Sequence, residues 1–365
     1  MSVPANGPQD TGLATEAMVA ISLLRSGPNT SAARLFKELM ASGSPTIRGL
    51  AERLGLPPGR RATEIRWAAD QARKVLADAM RLGQSALSCR AEAYPDRLRH
   101  IPDPPIILWL RGQTELLDAP AVAIVGSRSA TPAGLSVATR LGRELADVGL
   151  VVVSGMARGV DAAAHRGAID GTGRTIAVLG CGTDVIYPRE HHALARQILA
   201  RGAIVSELPP GTPPRQWHFP LRNRIISGLA QAVVVVEASE KSGSLITAKA
   251  ALEQGRDVLA VPGNVISGRH RGCHALIKDG ARLVETVDDV LEELRWSRRF
   301  VQVPPALNSL QLSELEGTMA AGEPYSVDEL AEATGRPAPD LLAELGALEV
   351  AGRVSRLPGG VFVRT

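Results

Sequence analysis

The sequence predicts a doubly wound α/β protein with a mostly parallel sheet, preceded by an all-helical region and followed by a winged helix. Three observations predict it. From Pro105 onward, short β-rich apolar runs alternate with amphipathic stretches of about 10–15 residues. The runs are apolar throughout rather than alternating, as strands covered on both faces are. The order is strand then helix, repeated, which packs as a sheet between two helical layers.

The elements follow in chain order. Residues 1–11 are polar and rich in Gly and Pro, which predicts a loose tail. Residues 14–82 show helical periodicity broken at Ser26-Gly27-Pro28, Ser42-Gly43-Ser44-Pro45 and Pro57-Pro58-Gly59. This predicts four or five helices, the longest from Thr63 to Leu82. The strand runs are Ile106–Leu110, Ala121–Val125, Leu150–Val153, Thr175–Leu179, Ala203–Val205, Ala232–Val236, Val258–Val261 and a weaker Arg282–Val284. Pro132–Val148 and Leu245–Gln254 are among the helical stretches between them. Residues 296–307, with Pro304-Pro305, read as a linker. Helical stretches then cover Ser309–Ala321, Ser326–Thr334 and Ala338–Ala351; the second opens with the capping-box pair Ser326 and Glu329. Arg353–Leu357, Pro358-Gly359-Gly360 and Val361–Arg364 read as a terminal hairpin, completing a winged helix-turn-helix. The expected domains are therefore 1–90, 91–300 and 308–365, the last two joined by residues 301–307.

Composition excludes several classes. The chain has 365 residues, 45% hydrophobic and 22% charged, so disorder, collagen and coiled coil fail as whole-chain readings. No window approaches the ~20 apolar residues of a membrane helix. The apolar stretch Leu13–Leu24 contains Glu16 and precedes the first basic residue, Arg25, the reverse of a secretory signal. Cys89, Cys181 and Cys273 are scattered and odd in number, so neither a disulfide framework nor a zinc site is expected. The expected location is the cytoplasm.

Charge is uneven. Residues 1–90 carry 12 basic and 7 acidic side chains, and residues 308–365 carry 4 and 9. Of the 41 basic residues only 5 are Lys. Such an Arg excess suits phosphate, because the planar guanidinium forks onto two oxygens. It is also what genomic base composition can produce. Aromatics are 3%, too few for a long base-stacking platform.

Ligands of a doubly wound sheet bind at the carboxyl ends of its strands, so the residues after each strand matter most. Gly126-Ser127-Arg128 follows the second run and offers a tight turn, a hydroxyl and a guanidinium. Ser154-Gly155-Met156-Ala157-Arg158-Gly159-Val160-Asp161 follows the third and suits an anion. Asp161 and His165, four apart, are expected to pair structurally rather than to catalyse or bind metal. Gly180-Cys181-Gly182 follows the fourth, with Cys181 expected to be a buried thiol. Arg215-Gln216-Trp217-His218-Phe219-Pro220-Leu221-Arg222-Asn223-Arg224 interleaves aromatics with arginines, the composition of a single-stranded nucleic-acid contact; a solvated helix start is the alternative. Lys241-Ser242-Gly243-Ser244-Leu245-Ile246-Thr247 reads as the best phosphate cradle, or as a plain helix cap. Neither GxGxxG nor GxxxxGK[ST] occurs. Together these features predict one crevice for a phosphate-rich ligand.

The blocks Gly126-Ser127-Arg128, Ser154 to Asp161, Ala177-Val178-Leu179-Gly180-Cys181-Gly182, Phe219 to Ser227, Ser242 to Ala248 and Val261-Pro262-Gly263 resemble the DNA processing protein A family (DprA, also called Smf). The resemblance runs from about residue 91 to 295, and both flanking regions are similar to accessory domains of family members. The N-terminal one would be of SAM/helix-hairpin-helix-like type. The resemblance implies an extended Rossmann fold and sequence-independent binding of single-stranded DNA. It implies a homodimer that protects incoming strands and loads the RecA recombinase during natural transformation, with no catalytic cofactor and no metal. Carried over by motif, the DNA contacts would come from Arg128, Phe219, Arg222, Asn223, Arg224, Ser242, Gly243, Ser244 and Thr247, to which the reading of the turns and the Arg-rich cluster adds Gly126, Ser127, Ser154, Gly155, Arg158 and Arg215. Of these, Arg128, Arg222 and Arg224 are the expected phosphate contacts. One departure stands out: the family's Gly-x-Asn-x-Leu-Ile is here Gly272-Cys273-His274-Ala275-Leu276-Ile277. His274 can replace one hydrogen bond of that Asn, so what that Asn does for the pocket floor or the dimer is open.

The acidic winged helix is expected to bind protein, or nothing, rather than duplex DNA, because phosphate binding needs positive charge. The alternative to a binding module is a hydrolase holding a nucleoside phosphate in the same crevice. One of Asp161, Asp184, Glu207 and Glu237 would then act as general acid or base. A scaffold without DNA binding is the third reading.

Overall fold

The computed structural model describes residues 12–24, 47–53, 55–296, 314–320, 322–350, 353–357 and 360–364. The expected tail over residues 1–11, and the expected linker beyond Trp296, lie outside them. The chain divides into two compact units, Met1–Arg299 and Phe300–Thr365.

The first unit is built on a nine-stranded sheet. Its strands are β1 (Ser85–Ser88), β2 (Ile107–Gly112), β3 (Ala121–Val125), β4 (Val151–Ser154), β5 (Thr175–Val178), β6 (Ala203–Ser206), β7 (Ala232–Val235), β8 (Asp257–Ala260) and β9 (Arg282–Leu283). Their spatial order is β1-β2-β6-β5-β4-β3-β7-β8-β9. From β6 to β9 all neighbours are parallel, while β1–β2 and β2–β6 are antiparallel. The eight expected strands are all present, with ends within two residues of the sequence reading. β1 was not expected.

Both faces of the central strands are buried, which explains the unbroken apolar runs. In β3, Ala121, Ala123 and Val125 join one core, and Val122 and Ile124 join the other. The helices are α1 (Gly12–Leu23), α2 (Ile47–Arg53), α3 (Pro58–Arg81), α4 (Asp96–Arg99), α5 (Pro132–Asp147), α6 (Val160–Asp170), α7 (His192–Arg201), α8 (His218–Leu229), α9 (Ser244–Glu253), α10 (Arg271–Lys278) and α11 (Val287–Glu293). Helices α8, α9 and α10 cover the first face, while α5, α6 and α11 cover the second. None of the described helices is long and apolar enough to cross a membrane.

The N-terminal helices do not stand apart as an independent 1–90 domain. Met18, Val19, Ile21, Ala51, Ala68 and Ala72 share a core with Ile107 and Trp109 of β2, whose other face, Leu108 and Leu110, packs into the main core. β1 also lies within residues 1–90, so the sheet begins before the expected boundary.

Asp161 and His165 do not pair. Asp161 accepts from the backbone N–H of Gly155 and Ala157. His165 Nδ1 lies 2.7 Å from Thr175 Oγ1. Thr175 Oγ1 donates to Val152 O, so it accepts from Nδ1–H. Nε2 is buried without a hydrogen-bond partner, and a proton there would be an uncompensated buried charge. Burial accordingly pulls the His165 pKa down from 6.5 to about 3. The unfolded chain therefore binds this proton first as the pH falls. Stability supplied by neutral His165 is present above pH 6.5 and lost toward pH 3. Urea denaturation over that range should show a steeper acid loss for the wild type than for His165→Gln, by at most ~1.4 kcal/mol per pH unit.

The second unit contains α12 (Glu314–Thr318), α13 (Val327–Thr334) and α14 (Ala338–Val350), then β11 (Val354–Leu357) and β12 (Val361–Arg364). The expected capping box is formed: Ser326 Oγ accepts from Glu329 N–H, and the Glu329 carboxylate accepts from Ser326 N–H. Strand β10 (Pro324–Tyr325) pairs with β12 and was not expected. Leu315, Leu330, Leu341, Leu345 and Phe362 form the core of this winged helix.

Candidate functional site

In the parallel part of the sheet, successive strands run outward from β3 to β6, and the chain then returns to lay β7 against the other side of β3. That reversal opens a crevice at the carboxyl ends of β3 and β7. A pocket of about 350 Å³ lies there, lined by the turn after β3, the start of α6, the first turns of α8 and the entry to α9.

Each wall is locally determined. The turn after β3 is tied down on both sides: Ser127 N–H donates to Glu237 O at 2.7 Å, and Val160 N–H donates to Ser127 O at 3.2 Å. Gly159 sits beside that turn with φ 74°, and a Cβ there would lie 2.2 Å from Ser127 O. Only glycine allows this approach. Glu237 is fully buried at the end of β7. Its Oε2 accepts from Thr131 N–H at 3.0 Å and Oγ1 at 2.7 Å, and Thr131 in turn caps α5.

The charge at the site comes from Arg128 and Arg222. Neither is in an ion pair with a described residue. The Arg128 guanidinium lies over the Phe219 ring, 5.5 Å from its centroid. Arg222 is buried and donates through Nη1 to Val178 O, while its Nε has no partner within the protein. Burial pulls the Arg222 pKa below the usual arginine value, and Asp161 acts against this. Asp161 is the one acid among the described residues lining the pocket; burial raises its carboxyl, opposed by Arg222, two backbone N–H groups and Arg128. The N-cap residue of α9 is Gly243, which has no side chain; Ser242 Oγ accepts from Ser244 N–H at 3.4 Å, and Ser242, Ser244 and Thr247 line the pocket there. Asn223 Nδ2 donates to Gly243 O at 3.3 Å and links α8 to that start. Two guanidiniums and a helix N-terminus around one space can take a phosphate.

The chain matches the family profile described as DNA recombination-mediator protein A over residues 85–295, more than half its length. It belongs to the DNA processing protein A family. Residues 317–360 match the DprA winged helix domain. Protein Smf of Escherichia coli is 40% identical over 284 residues, 75% of each chain. The DNA processing protein DprA of Streptococcus pneumoniae is 45% identical over 205 residues, 56% of this chain and 72% of that protein. The X-ray structure of DprA from S. pneumoniae superposes with a TM-score of 0.65 at 35% identity, covering 77% of this chain and 95% of that one. A Helicobacter pylori DNA processing protein A, solved for its single-stranded DNA binding mode, gives 0.52 at 33% identity, covering 58% and 95%.

Of the fifteen expected DNA-contact residues, Gly126, Ser127, Arg128, Phe219, Arg222, Asn223, Ser242, Gly243, Ser244 and Thr247 meet at this one pocket. Five do not. Arg224 is spent elsewhere: its guanidinium holds Asp103 at 3.0 Å and Glu207 at 2.7 Å. Ser154 is buried and donates to Ile124 O. Arg215 lies over the exposed Trp217. Arg158 pairs with Glu190, and with Gly155 it lines a neighbouring hollow. Helix α8 starts at His218, two residues before the expected Pro220.

Three of the four candidate acids are held away from the pocket: Asp184 accepts from Gly211 N–H, Glu207 holds Arg224 and Glu237 holds Thr131. Cys181 is buried, with its thiol pushed up to about 11. His274 Nε2 lies 3.1 Å from Gly263 O, so it donates to the Pro262-Gly263 turn and does not face the pocket. Tyr187 joins the site unforeseen, its ring 5.5 Å from Phe219. A Tyr on a loop carries no spacing signal that could have placed it there.

Proposed function

We propose that this chain binds single-stranded DNA without regard to sequence, with the phosphate chain entering the crevice between β3 and β7. The observation that carries the reading is the pair Arg128 and Arg222, set beside the start of α9 and joined to no carboxylate among the described residues. In this reading Arg128, Arg222 and the α9 N-terminus take phosphate, and Phe219 forms the apolar wall. The H. pylori relative supports it, since that protein's structure concerns single-stranded DNA binding. In the same reading a homodimer shields incoming strands in the cytoplasm and passes them to RecA during transformation; the match to a recombination-mediator family supports the DNA-processing part of that role. The winged helix has a net charge of −5 over residues 308–365 and is assigned no strand contact.

The test is anisotropy of labelled oligo-dT across a salt series, with duplex as competitor, for wild type and Arg128→Ala. Single strands give a slope of about −0.7 per phosphate neutralised. Arg128→Ala should flatten the slope by about that amount and weaken binding roughly ten- to a hundredfold at low salt, as loss of a charge-assisted contact does. Absence of wild-type binding at low salt would overturn the reading.

A further inference from the structure

We propose that Tyr187, with Phe219 against it, is a base-stacking step that seats a second nucleotide beside the phosphate pocket. The inference rests on the single-stranded DNA reading above and adds to it a subsite for a nucleobase.

A second hollow of about 50 Å³ adjoins the main pocket and is bordered by Arg128, Arg158, Tyr187, Pro188, Phe219 and Arg222. Arg128, Phe219 and Arg222 border both spaces, so they form the ridge between them. A strand crossing that ridge leaves one nucleotide on each side.

The chemistry of the second side fits a base rather than a phosphate. Its own cation, Arg158, is already joined to Glu190, which holds the Glu190 carboxyl below its usual range. Arg128 and Arg222 stand on the shared ridge, and the rest of the wall is Tyr187, Phe219 and Pro188 with the small residues Gly155 and Ala157. Tyr187 is 43% exposed although it is a large ring, and it meets Phe219 at a centroid distance of 5.5 Å with 38° between the planes. Phe219 also carries the Arg128 guanidinium, so the chain of contacts runs from phosphate seat to ring to ring. Size decides how the base sits. A space of about 50 Å³ holds a few waters, too little to swallow a nucleobase, so the base lies across its rim on the Tyr187 face. A ring face suits every base, which agrees with binding that ignores sequence.

The same anisotropy measurement, on wild type, Tyr187→Ala, Tyr187→Leu and Tyr187→Phe, tests this. Loss of a stacking ring should weaken oligo-dT binding roughly five- to a hundredfold at every salt concentration, with the slope unchanged, because no charge is removed. Tyr187→Leu keeps apolar bulk without a π face and should lose binding as Tyr187→Ala does. Tyr187→Phe should bind like wild type. On an abasic strand of equal length, wild type and Tyr187→Leu should bind alike. Full oligo-dT affinity in Tyr187→Leu, or a flattened slope, overturns the inference while the crevice reading stands. No binding by the wild type overturns the crevice reading itself.

Discussion

Arg224→Ala should destabilise the folded chain by about 3 kcal/mol and leave the salt slope of single-strand binding unchanged. The side chain is 15% exposed and lies between Asp103 and Glu207, the latter gripped through both oxygens at 2.7 and 2.9 Å. Truncation removes the cation from between two carboxylates that are themselves only about a third exposed (30% and 31%). Their mutual repulsion and lost hydrogen bonds are the cost. Arg224→Lys keeps the charge without the fork and should fall between the two. Urea denaturation gives the stability, and the anisotropy series gives the slope. A phosphate contact at this residue would give the opposite pattern: stability near wild type and a slope flatter by about 0.7.

Gly167→Ala should cost about as much, by a different route. Helices α5 and α6 meet backbone to backbone at Gly142 and Gly167. A Cβ on Gly167 would sit 1.9 Å from Thr139 O, and one on Gly142 would sit 2.4 Å from Ala164 O. The obstacle is backbone, so no rotamer change relieves it and the helices must separate. Overpacking costs about 1–3 kcal/mol, and a collision with a carbonyl belongs at the upper end. Because α6 begins with Val160 and Asp161, its displacement should also weaken strand binding. Gly59→Ala is the control. Gly59 lies in the first turn of α3 with nothing within 4 Å of its missing Cβ, so this change should be neutral or slightly stabilising. Thermal melts of the two variants side by side check the contrast.

These two residues also mark what could be read from sequence. The strands were legible because a sheet buried on both faces writes itself as runs such as Ala121–Val125. β1 was not, since Ser85–Ser88 has one buried residue of four and no apolar run. The antiparallel sense of β2 was hidden too: Ile106–Leu110 looks like a central parallel strand because the N-terminal helices cover its second face. At the site, turn chemistry after β3 and before α9 was legible. The difference between Arg222 and Arg224 was not. Two residues along a helix turn a side chain by about 200°, so one reached the crevice and the other did not. What decided Arg224 were Asp103, far back in the chain, and Glu207, neither visible as a neighbour in the sequence.

Glu237 gives the crevice an assembly order. Its main chain completes β7 and receives Ser127, while its side chain holds the first residue before α5, more than a hundred positions earlier. A nascent chain that has emerged only as far as β6 therefore lacks the anchor for its Gly126–Ser129 turn as well as the whole α9 wall. A chain cut short before residue 237 keeps Arg128, Phe219 and Arg222 but loses this anchor and the whole α9 wall together.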